Sequence, residues 1–297
     1  MSTILIVGQN GQVSQYLQET LSDHYTLHVS TREELDLTDI ASIQAFLKVL
    51  SPSVIINPAA YTAVDNAEKE TELAFTINRD AVREIAEYAA MSNTPLIHYS
   101  TDYVFDGESE KPYLEQDRPA PSSVYGQSKY EGEQVIIESG APAIILRTAW
   151  VYSNKGKNFY KTMLALAQTR EELSIVGDQF GSPTYAGSIA EATKEILDLI
   201  VKQGGIESSQ VGIYHLTCQG STSWHDFAQR IFALNKCDHI KLNSIPSSEY
   251  PTPAKRPMFS VLDGSKLDSV FGVSLPQWQD ALDDCVVAQS NFSNANH

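Results

Sequence analysis

Short, continuous apolar runs recur along the first half of this 297-residue chain, at residues 4–7, 53–56, 95–99 and 143–147. Runs of this length are typical of parallel β-strands that are buried on both faces. Segments with apolar residues at helical spacing, such as residues 75–91, lie between them. This alternation of strand and helix patterns predicts an α/β fold built on a doubly wound parallel sheet.

A glycine turn follows the first predicted strand and opens the first predicted helix. Gly8 permits a tight turn, and Gly11 lets the backbone approach a pyrophosphate at the positive end of that helix. Ser14 stands where a third glycine is usual, which predicts slightly looser packing of the helix on the sheet. A strand, a glycine turn and a helix in this order are typical of a Rossmann-type dinucleotide-binding fold.

The end of the second predicted strand, residues 25–29, indicates which dinucleotide binds. An acidic residue at this distance from the glycine turn would bind the ribose of NAD, but the chain has Ser30, Thr31 and Arg32 instead. Small hydroxyls and a guanidinium favour a 2′-phosphate, so we expect NADPH, with NADH left open. The alternative is that Arg32 only begins a surface helix. The next short β segment is predicted to end at Asp36 and Leu37, where both residues would border the adenine.

The second half of the chain has a weaker pattern, with more glycine, proline and aromatic residues. Residues 161–173 predict a helix, and residues 211–216 predict a strand that returns to the first sheet. We therefore assign residues 1–150, joined by parts of 175–220, to the dinucleotide-binding domain. Residues 151–297 are assigned mainly to a smaller, interleaved α/β substrate-binding region.

Tyr125 and Lys129 are the strongest candidates for chemistry. They stand four residues apart at the predicted start of a helix, so they share one face of it. A tyrosine hydroxyl normally titrates near pH ~10 and becomes a usable acid when a nearby cation stabilises the phenolate. Thr101 follows a predicted strand, at the edge where open α/β sheets bind their ligands. The Tyr-x-x-x-Lys spacing also arises by chance in a chain with 14 tyrosines, so its context carries the assignment.

Composition excludes several classes of protein. The formal net charge of −16, without a Lys- and Arg-rich stripe, argues against a nucleic-acid partner. Three scattered cysteines without a C-x-x-C spacing predict neither a disulfide framework nor a metal site. The first strand leaves no room for a signal peptide, and no apolar run has the length of a membrane span, so we expect a cytoplasmic protein. A monomer and a homodimer both stay open.

Three motifs together resemble the extended short-chain dehydrogenase/reductase superfamily: Gly8-x-x-Gly11, Ser100-Thr-Asp-Tyr-Val-Phe-Asp-Gly107 and Tyr125-x-x-x-Lys129. Further motifs narrow the resemblance to reductases of dTDP-linked 4-keto-6-deoxy sugars and extend it over nearly the whole chain. They are Arg147-Thr-Ala-Trp-Val-Tyr152, Asp178-Gln-Phe-Gly-Ser-Pro-Thr184, Thr222-Ser-Trp-His-Asp226 and Tyr250-Pro-Thr-Pro-Ala-Lys-Arg-Pro257.

The resemblance implies a role for each candidate residue. Tyr125 would donate a proton to the alkoxide that forms when hydride passes from the nicotinamide to C4. Lys129 would lower the pKa of that phenol and hold the nicotinamide ribose, and Thr101 would donate a hydrogen bond to the carbonyl oxygen. The cofactor would be lined by Gly8, Gly11, Gln12, Val13, Arg32, Asp36, Leu37, Ala60, Tyr61, Thr62, Tyr125 and Lys129.

On the substrate side, the resemblance implies that Thr101, Asp102 and Trp150 contact the sugar. Trp150 at a strand end also fits a place in the core. Arg256 lies in a proline-rich basic loop that suits a clamp for the diphosphate, with surface solubility as the alternative.

Two other functions share these features. A nucleotide-sugar epimerase or dehydratase has the same fold and the same Tyr/Lys pair, but the dehydratases carry an acidic residue directly after Thr-Asp, where this chain has Tyr103. The second alternative is a non-catalytic, NADP-binding regulatory subunit. The presence of Thr101, Tyr125 and Lys129 together argues against it, because a binding module need not keep all three.

Overall fold

The computed structural model describes residues 3–295, in which strands and helices alternate. The strands are β1 Thr3–Ile6, β2 Thr26–Val29, β3 Val54–Asn57, β4 Leu96–Thr101, β5 Ala143–Thr148, β6 Val151–Tyr152, β7 Glu172–Val176, β8 Phe180–Gly181, β9 Thr184–Tyr185, β10 Gly212–His215, β11 Thr222–Ser223 and β12 Lys241–Ile245. The helices are α1 Gln12–Leu21, α2 Ile40–Leu50, α3 Val64–Ala67, α4 Thr71–Phe75, α5 Ala81–Ser92, α6 Val124–Ser139, α7 Phe159–Ala167, α8 Ala186–Gln203, α9 Trp224–Leu234, α10 Ser265–Phe271 and α11 Trp278–Ala295.

Three shorter helical turns complete the regular structure. A π-helical turn at Thr76–Asp80 joins α4 to α5, and 3-10 turns at Asp102–Val104 and Ser247–Glu249 follow β4 and β12. None of the helices described in residues 3–295 is long and apolar enough to cross a membrane.

The main sheet has six parallel strands in the order β10-β5-β4-β3-β1-β2. The chain adds β2 on one side of β1 and then places β3, β4, β5 and β10 on the other side. The direction of winding therefore reverses between β1 and β3, and ligands of such sheets bind beyond the carboxyl ends of the strands at this switch point. The sheet confirms the predicted doubly wound α/β class.

Strand β1 shows why the sheet needs helices on both faces. Successive side chains of a strand point to opposite faces. Ile4 and Ile6 pack in one core cluster with buried residues of α1 and α8. Leu5 and Val7 pack in a second cluster with residues of α2, α5 and α6. Each apolar strand is thus covered on both sides, as its continuous apolar sequence requires.

The second half contributes to the same sheet and also builds small sheets of its own. Strand β10 pairs with β5 as the sixth strand, and α8 packs on α1. Parallel pairs join β7 to β12 and β6 to β9, while β8 and β11 are antiparallel. The strands of these short pairs all follow β5 in the sequence.

Two predicted elements differ in the structure. No strand ends at Asp36 and Leu37, because residues 31–39 form turns in which the Asp36 carboxylate accepts hydrogen bonds from the backbone N–H and the hydroxyl of Thr38. The helix predicted over residues 161–173 ends earlier, as α7, and its last part belongs to β7. Strand β7 exists because β12, distant in sequence, supplies its hydrogen-bonding partner.

Candidate active site

The carboxyl end of β4 and the first turn of α6 bring the predicted catalytic residues together. Thr101 is the last residue of β4, and its hydroxyl donates a 3.0 Å hydrogen bond to the Asp102 carboxylate. The Ser123 hydroxyl caps α6 by accepting from the Gly126 N–H at 3.1 Å, which places Tyr125 in the first turn. Tyr125 lies beside Thr101, close enough for the threonine side chain to lower the pKa of its phenol.

Lys129 lies one turn further along α6 and is buried. Its Nζ donates a 2.6 Å hydrogen bond to the carbonyl oxygen of Tyr99 and lies 3.3 Å from Nε2 of His98. Burial lowers the pKa of Lys129 to about 8, although the Glu133 carboxylate acts in the opposite direction. Lys129 therefore loses its proton at a lower pH than an exposed lysine does.

The pKa of Tyr125 is raised above its usual value, chiefly by burial. The Thr101 side chain lowers this pKa, and the nearby Asp102 carboxylate raises it. Burial likewise raises the pKa of Asp102 to about 6, since a carboxylate loses hydration beneath the site. In the protein alone, the phenol of Tyr125 therefore holds its proton firmly at neutral pH.

Close backbone contacts and a buried ion pair fix α6 against the sheet. Side chains at Gly126 and Gly132 would collide with the carbonyl oxygens of Tyr103 and Asn78, so glycine is required at both positions. Arg147 on β5 donates two hydrogen bonds to Glu133 on α6, at 2.8 and 2.6 Å. The Ser100 hydroxyl on β4 donates to the same carboxylate at 2.5 Å. This network joins the elements that carry Thr101, Tyr125 and Lys129.

The glycine turn lies at the amino end of α1, beside the switch point. Gly8 has a φ of +78°, a conformation that favours glycine, and its N–H donates to the Ser30 hydroxyl at 3.0 Å. Gly11 is the N-cap of α1, and no side chain caps this helix end. The free N–H groups and the helix dipole therefore suit a pyrophosphate. Ser14 is buried, and its hydroxyl donates a hydrogen bond to the Gly8 carbonyl oxygen. Instead of only loosening the packing of α1 on the sheet, the serine thus links the helix to the glycine turn.

Other predicted cofactor residues lie around this turn. The Gln12 side-chain oxygen accepts hydrogen bonds from Ser153 at 2.8 Å and Asn158 at 2.7 Å, so it links α1 to the second half. Val13 packs on the first core cluster. The Arg32 side chain is 80% exposed beyond β2, and its Nε lies 3.5 Å from the Asp36 carboxylate. Leu37 packs on the second core cluster.

The segment after β3 carries Ala60, Tyr61 and Thr62 and is held by a buried amide. Asn78 accepts from the N–H of Tyr61 at 2.8 Å and donates to its carbonyl oxygen at 3.1 Å. The same amide donates to the Ser128 hydroxyl on α6 at 3.0 Å. Asn78 thus fixes the predicted cofactor backbone to the helix that carries Tyr125 and Lys129.

Two features define the predicted substrate side. Trp150 follows β5 with a φ of +46°, and its indole stacks on Trp224 with ring centroids 3.4 Å apart. A side chain at Gly181 would collide with this indole. Arg256 donates a 3.0 Å hydrogen bond to the Tyr103 hydroxyl and a 2.7 Å hydrogen bond to Asp65.

The Tyr103 ring meets the Tyr125 ring edge-on at 5.5 Å, so Arg256 lies one aromatic ring away from the catalytic candidates. No group of three or more His, Cys, Asp or Glu side chains within residues 3–295 is placed to hold a metal ion.

Sequence patterns assigned Trp224 no role in the site beyond its place in the motif Thr222-Ser-Trp-His-Asp226, and helical phase left Asn78 open between a buried amide and a residue at the cofactor edge. A local signal existed for the helix that carries Trp224, because the Ser223 hydroxyl caps α9 by accepting from the Asp226 N–H at 3.0 Å. The stacking on Trp150 brings together residues 74 positions apart, which no local pattern shows. The role of Asn78 as a clamp also depends on tertiary contacts.

The doubly wound sheet, the glycine turn at its switch point and the grouping of Thr101, Tyr125 and Lys129 define a Rossmann-type oxidoreductase of the short-chain dehydrogenase/reductase class. Comparison with known proteins specifies the class further. The family model described as "RmlD substrate binding domain" matches residues 1–291. A dTDP-4-dehydrorhamnose reductase of Sinorhizobium fredii is 41% identical over 281 residues, which cover 94% of each chain.

Solved structures agree with this comparison. The dTDP-4-dehydrorhamnose reductase of Clostridium acetobutylicum is 36% identical with a TM-score of 0.89, covering 97% of this chain and 99% of the other. The Bacillus anthracis dTDP-4-dehydrorhamnose reductase, solved in complex with NADP, is 36% identical with a TM-score of 0.88, covering 97% and 100%. The chain belongs to the dTDP-4-dehydrorhamnose reductase family.

Proposed function

We propose that this protein uses NADPH to reduce the C4 keto group of dTDP-4-dehydro-L-rhamnose, forming dTDP-L-rhamnose, with Tyr125 as the proton donor. Relatives of the family carry the name of this reaction, and one of them is solved with NADP. The single observation that carries the proposal is the grouping of the Thr101 and Tyr125 side chains, with the buried Lys129 one turn away.

Each residue of this group performs a separate task. The Thr101 hydroxyl orients the keto oxygen beside Tyr125. The Tyr125 phenol remains protonated at neutral pH because burial raises its pKa, so a proton is available at its oxygen. Lys129 stabilises the phenolate that remains and can return a proton to it. Positioned proton donation of this kind contributes roughly 10²–10⁴ in rate.

The residues at the switch point fit NADPH. The uncapped amino end of α1 and the backbone of Gly8 and Gly11 would hold the pyrophosphate. Arg32 is exposed beyond β2, where a 2′-phosphate would gain a charge-assisted hydrogen bond. Gln12, Val13, Asp36, Leu37 and residues 60–62 would line the rest of the site. Bound NADPH would supply the hydride.

On the sugar side, Asp102 and Trp150 would contact the substrate. The stack of Trp150 on Trp224 provides a flat apolar wall, which suits a deoxy-sugar ring. Asp65 and Tyr103 hold Arg256 in place, so its guanidinium is preorganised for a diphosphate. In this proposal residues 1–150, with parts of 175–220, bind the dinucleotide, and residues 151–297 mainly bind the sugar nucleotide.

The test compares wild type with Tyr125→Phe in an assay of NADPH oxidation. With dTDP-4-dehydro-L-rhamnose as substrate, we expect turnover by the wild type and a roughly 10²–10⁴-fold lower kcat for the variant. NADPH binding, followed by its fluorescence, should stay unchanged. Tyr214→Phe is the matched control, because that buried hydroxyl donates to the backbone carbonyl of Gln210, in the turn before the edge strand β10.

Three outcomes would contradict the proposal. Full activity of Tyr125→Phe would remove the phenol from the mechanism. NADPH binding without oxidation of NADPH by the keto sugar would favour a non-catalytic NADP-binding subunit, and turnover of a different nucleotide sugar would favour another reductase or an epimerase.

A further inference from the structure

A chain of three buried polar side chains runs behind the candidate active site. Asn57 ends β3, His98 lies in β4 and Lys129 lies in α6, and all three are buried. The amide nitrogen of Asn57 lies 3.1 Å from Nδ1 of His98. Nε2 of the same ring lies 3.3 Å from Nζ of Lys129. His98 therefore bridges Asn57 and Lys129 with its two ring nitrogens.

One backbone N–H group determines where the hydrogens lie in the row of side chains formed by Asn57, His98 and Lys129. The N–H of Ala59 can only donate, and it lies 3.2 Å from the side-chain oxygen of Asn57. This bond assigns the amide orientation, so the Asn57 NH₂ group faces His98. An NH₂ group can only donate, so Nδ1 of His98 must accept. The pKa of His98 is lowered well below its usual value by burial and by Lys129, so the ring is neutral. A neutral ring that accepts at Nδ1 carries its proton on Nε2.

This tautomer has a consequence for Lys129. The Nε2–H of His98 is directed at Nζ of Lys129. An ammonium has three N–H groups and no lone pair, so it cannot accept this hydrogen. A neutral amine can accept it and still donate to the Tyr99 carbonyl oxygen, which lies 2.6 Å away. The contact with His98 is therefore favourable only for the neutral form of Lys129.

None of the other ionisable groups described around Lys129 favours its neutral form as the contact with His98 does. Tyr125 lies one turn earlier on α6 and is held in its protonated form by burial. Glu133 lies one turn later and favours the charged lysine, but Arg147 occupies its carboxylate with two hydrogen bonds. Asp102 acts on Tyr125 rather than on Lys129. His98 is thus the neighbour that, together with burial, disfavours the protonated form of Lys129.

We propose that Asn57 and His98 are positioning residues, which hold a ring N–H against Nζ of Lys129 and thereby favour its neutral form. A lysine that gains and loses its proton near neutral pH can return a proton to Tyr125 in every turnover, because general acids work best with a pKa near the working pH. This catalytic consequence rests on the proposed function, whereas the protonation equilibrium itself does not.

The test measures that equilibrium directly by NMR in the enzyme without substrate. The ¹⁵N shifts of His98 report the tautomer, and the ¹³Cε shift of Lys129, assigned by its loss in Lys129→Arg, reports the titration. We expect a proton on Nε2 in the wild type. In His98→Gln, the carboxamide oxygen can turn toward the ammonium, so the titration midpoint of Lys129 should rise by about one pH unit, a tenfold higher proton affinity.

Asn57→Asp provides an independent variant of nearly the same shape. Its carboxylate cannot donate to Nδ1 and instead accepts from it, so the ring proton should move to Nδ1 and the Lys129 midpoint should rise. His215→Gln is the matched control, since His215 is also a buried, neutral histidine of the main sheet but contacts the Asp263 carbonyl oxygen instead. It should leave the Lys129 midpoint unchanged.

The inference is overturned if the His98 ring of the wild type carries its proton on Nδ1. It is also overturned if the titration midpoint of Lys129 in both His98→Gln and Asn57→Asp equals that of the wild type. If the enzyme is active, the alkaline limb of its kcat/KM profile should move to higher pH in both variants. A lack of turnover would contradict the proposed function alone, because the NMR titrations need no substrate.

Discussion

Glu133→Gln is expected to destabilise this protein strongly, because it leaves the guanidinium of Arg147 as an unpaired charge inside the core. The Arg147 side chain is 1% exposed and that of Glu133 is 0% exposed. Two hydrogen bonds, of 2.8 and 2.6 Å, join the two groups, and the Ser100 hydroxyl donates to the same carboxylate. The neutral amide can accept from Arg147 but cannot balance its charge.

The magnitude follows from this burial. Removing one partner of a buried ion pair costs ~3–5 kcal/mol, since the remaining charge stays desolvated. The amide oxygen of Gln still accepts one hydrogen bond, so we expect a loss of about 3 kcal/mol. Native proteins of this kind unfold with free energies of ~5–15 kcal/mol, so the loss is a large share of the total.

Urea unfolding followed by circular dichroism measures the loss. Asp283→Asn is the matched control, because Arg230 and Asp283 also form an Arg–carboxylate pair, but their side chains are 39% and 47% exposed. Such surface pairs contribute about 0–1 kcal/mol. The double variant Glu133→Leu with Arg147→Met removes both buried charges and should recover most of the stability. Equal losses in Glu133→Gln and Asp283→Asn would refute the reasoning.

Three further predictions concern the cofactor, the sugar wall and pH. Arg32→Ala should weaken NADPH binding by roughly 10–100-fold and leave NADH binding unchanged, since a hydrogen bond to a charged group contributes ~1.5–3 kcal/mol. Equal weakening of NADPH and NADH binding would show that Arg32 does not bind the 2′-phosphate. Trp224→Ala removes the ring on which Trp150 stacks, so steady-state kinetics should show a higher KM for the sugar and unchanged NADPH affinity. The pKa of Asp102 rises from 3.8 to about 6 on folding, so stability that is present below pH 4 is lost as the pH rises through 6. In urea unfolding, Asp102→Asn should therefore be more stable than the wild type by up to ~3 kcal/mol at pH 8, but not at pH 4. A gain of the same size at both pH values would contradict this.

Local sequence was sufficient to locate the six strands of the main sheet and the glycine turn, although it also predicted a strand ending at Asp36 and Leu37 that does not form. Strand β1 is a continuous apolar run, and such a run needs cover on both faces wherever it lies in a sheet. Gly8 adopts a φ that favours glycine, so its identity alone indicated the turn. The pair Tyr125 and Lys129 shares a helix face by spacing alone. These features depend on a residue and its near neighbours.

Tertiary structure decided the features that depend on distant partners. The helix prediction extends wrongly into Glu172 and Leu173, the first residues of β7, because the partner strand β12 follows about 70 residues later. The stack of Trp150 on Trp224 and the clamp by Asn78 join elements that only packing brings together. Protonation depends on packing in the same way, because burial sets the pKa of Lys129 and the Ala59 N–H assigns the tautomer of His98. The sequence by itself determined which chemical groups are present and on which elements they lie. Only the folded structure decided how those groups hold their protons, because desolvation and hydrogen-bond geometry arise from residues that are remote in the chain.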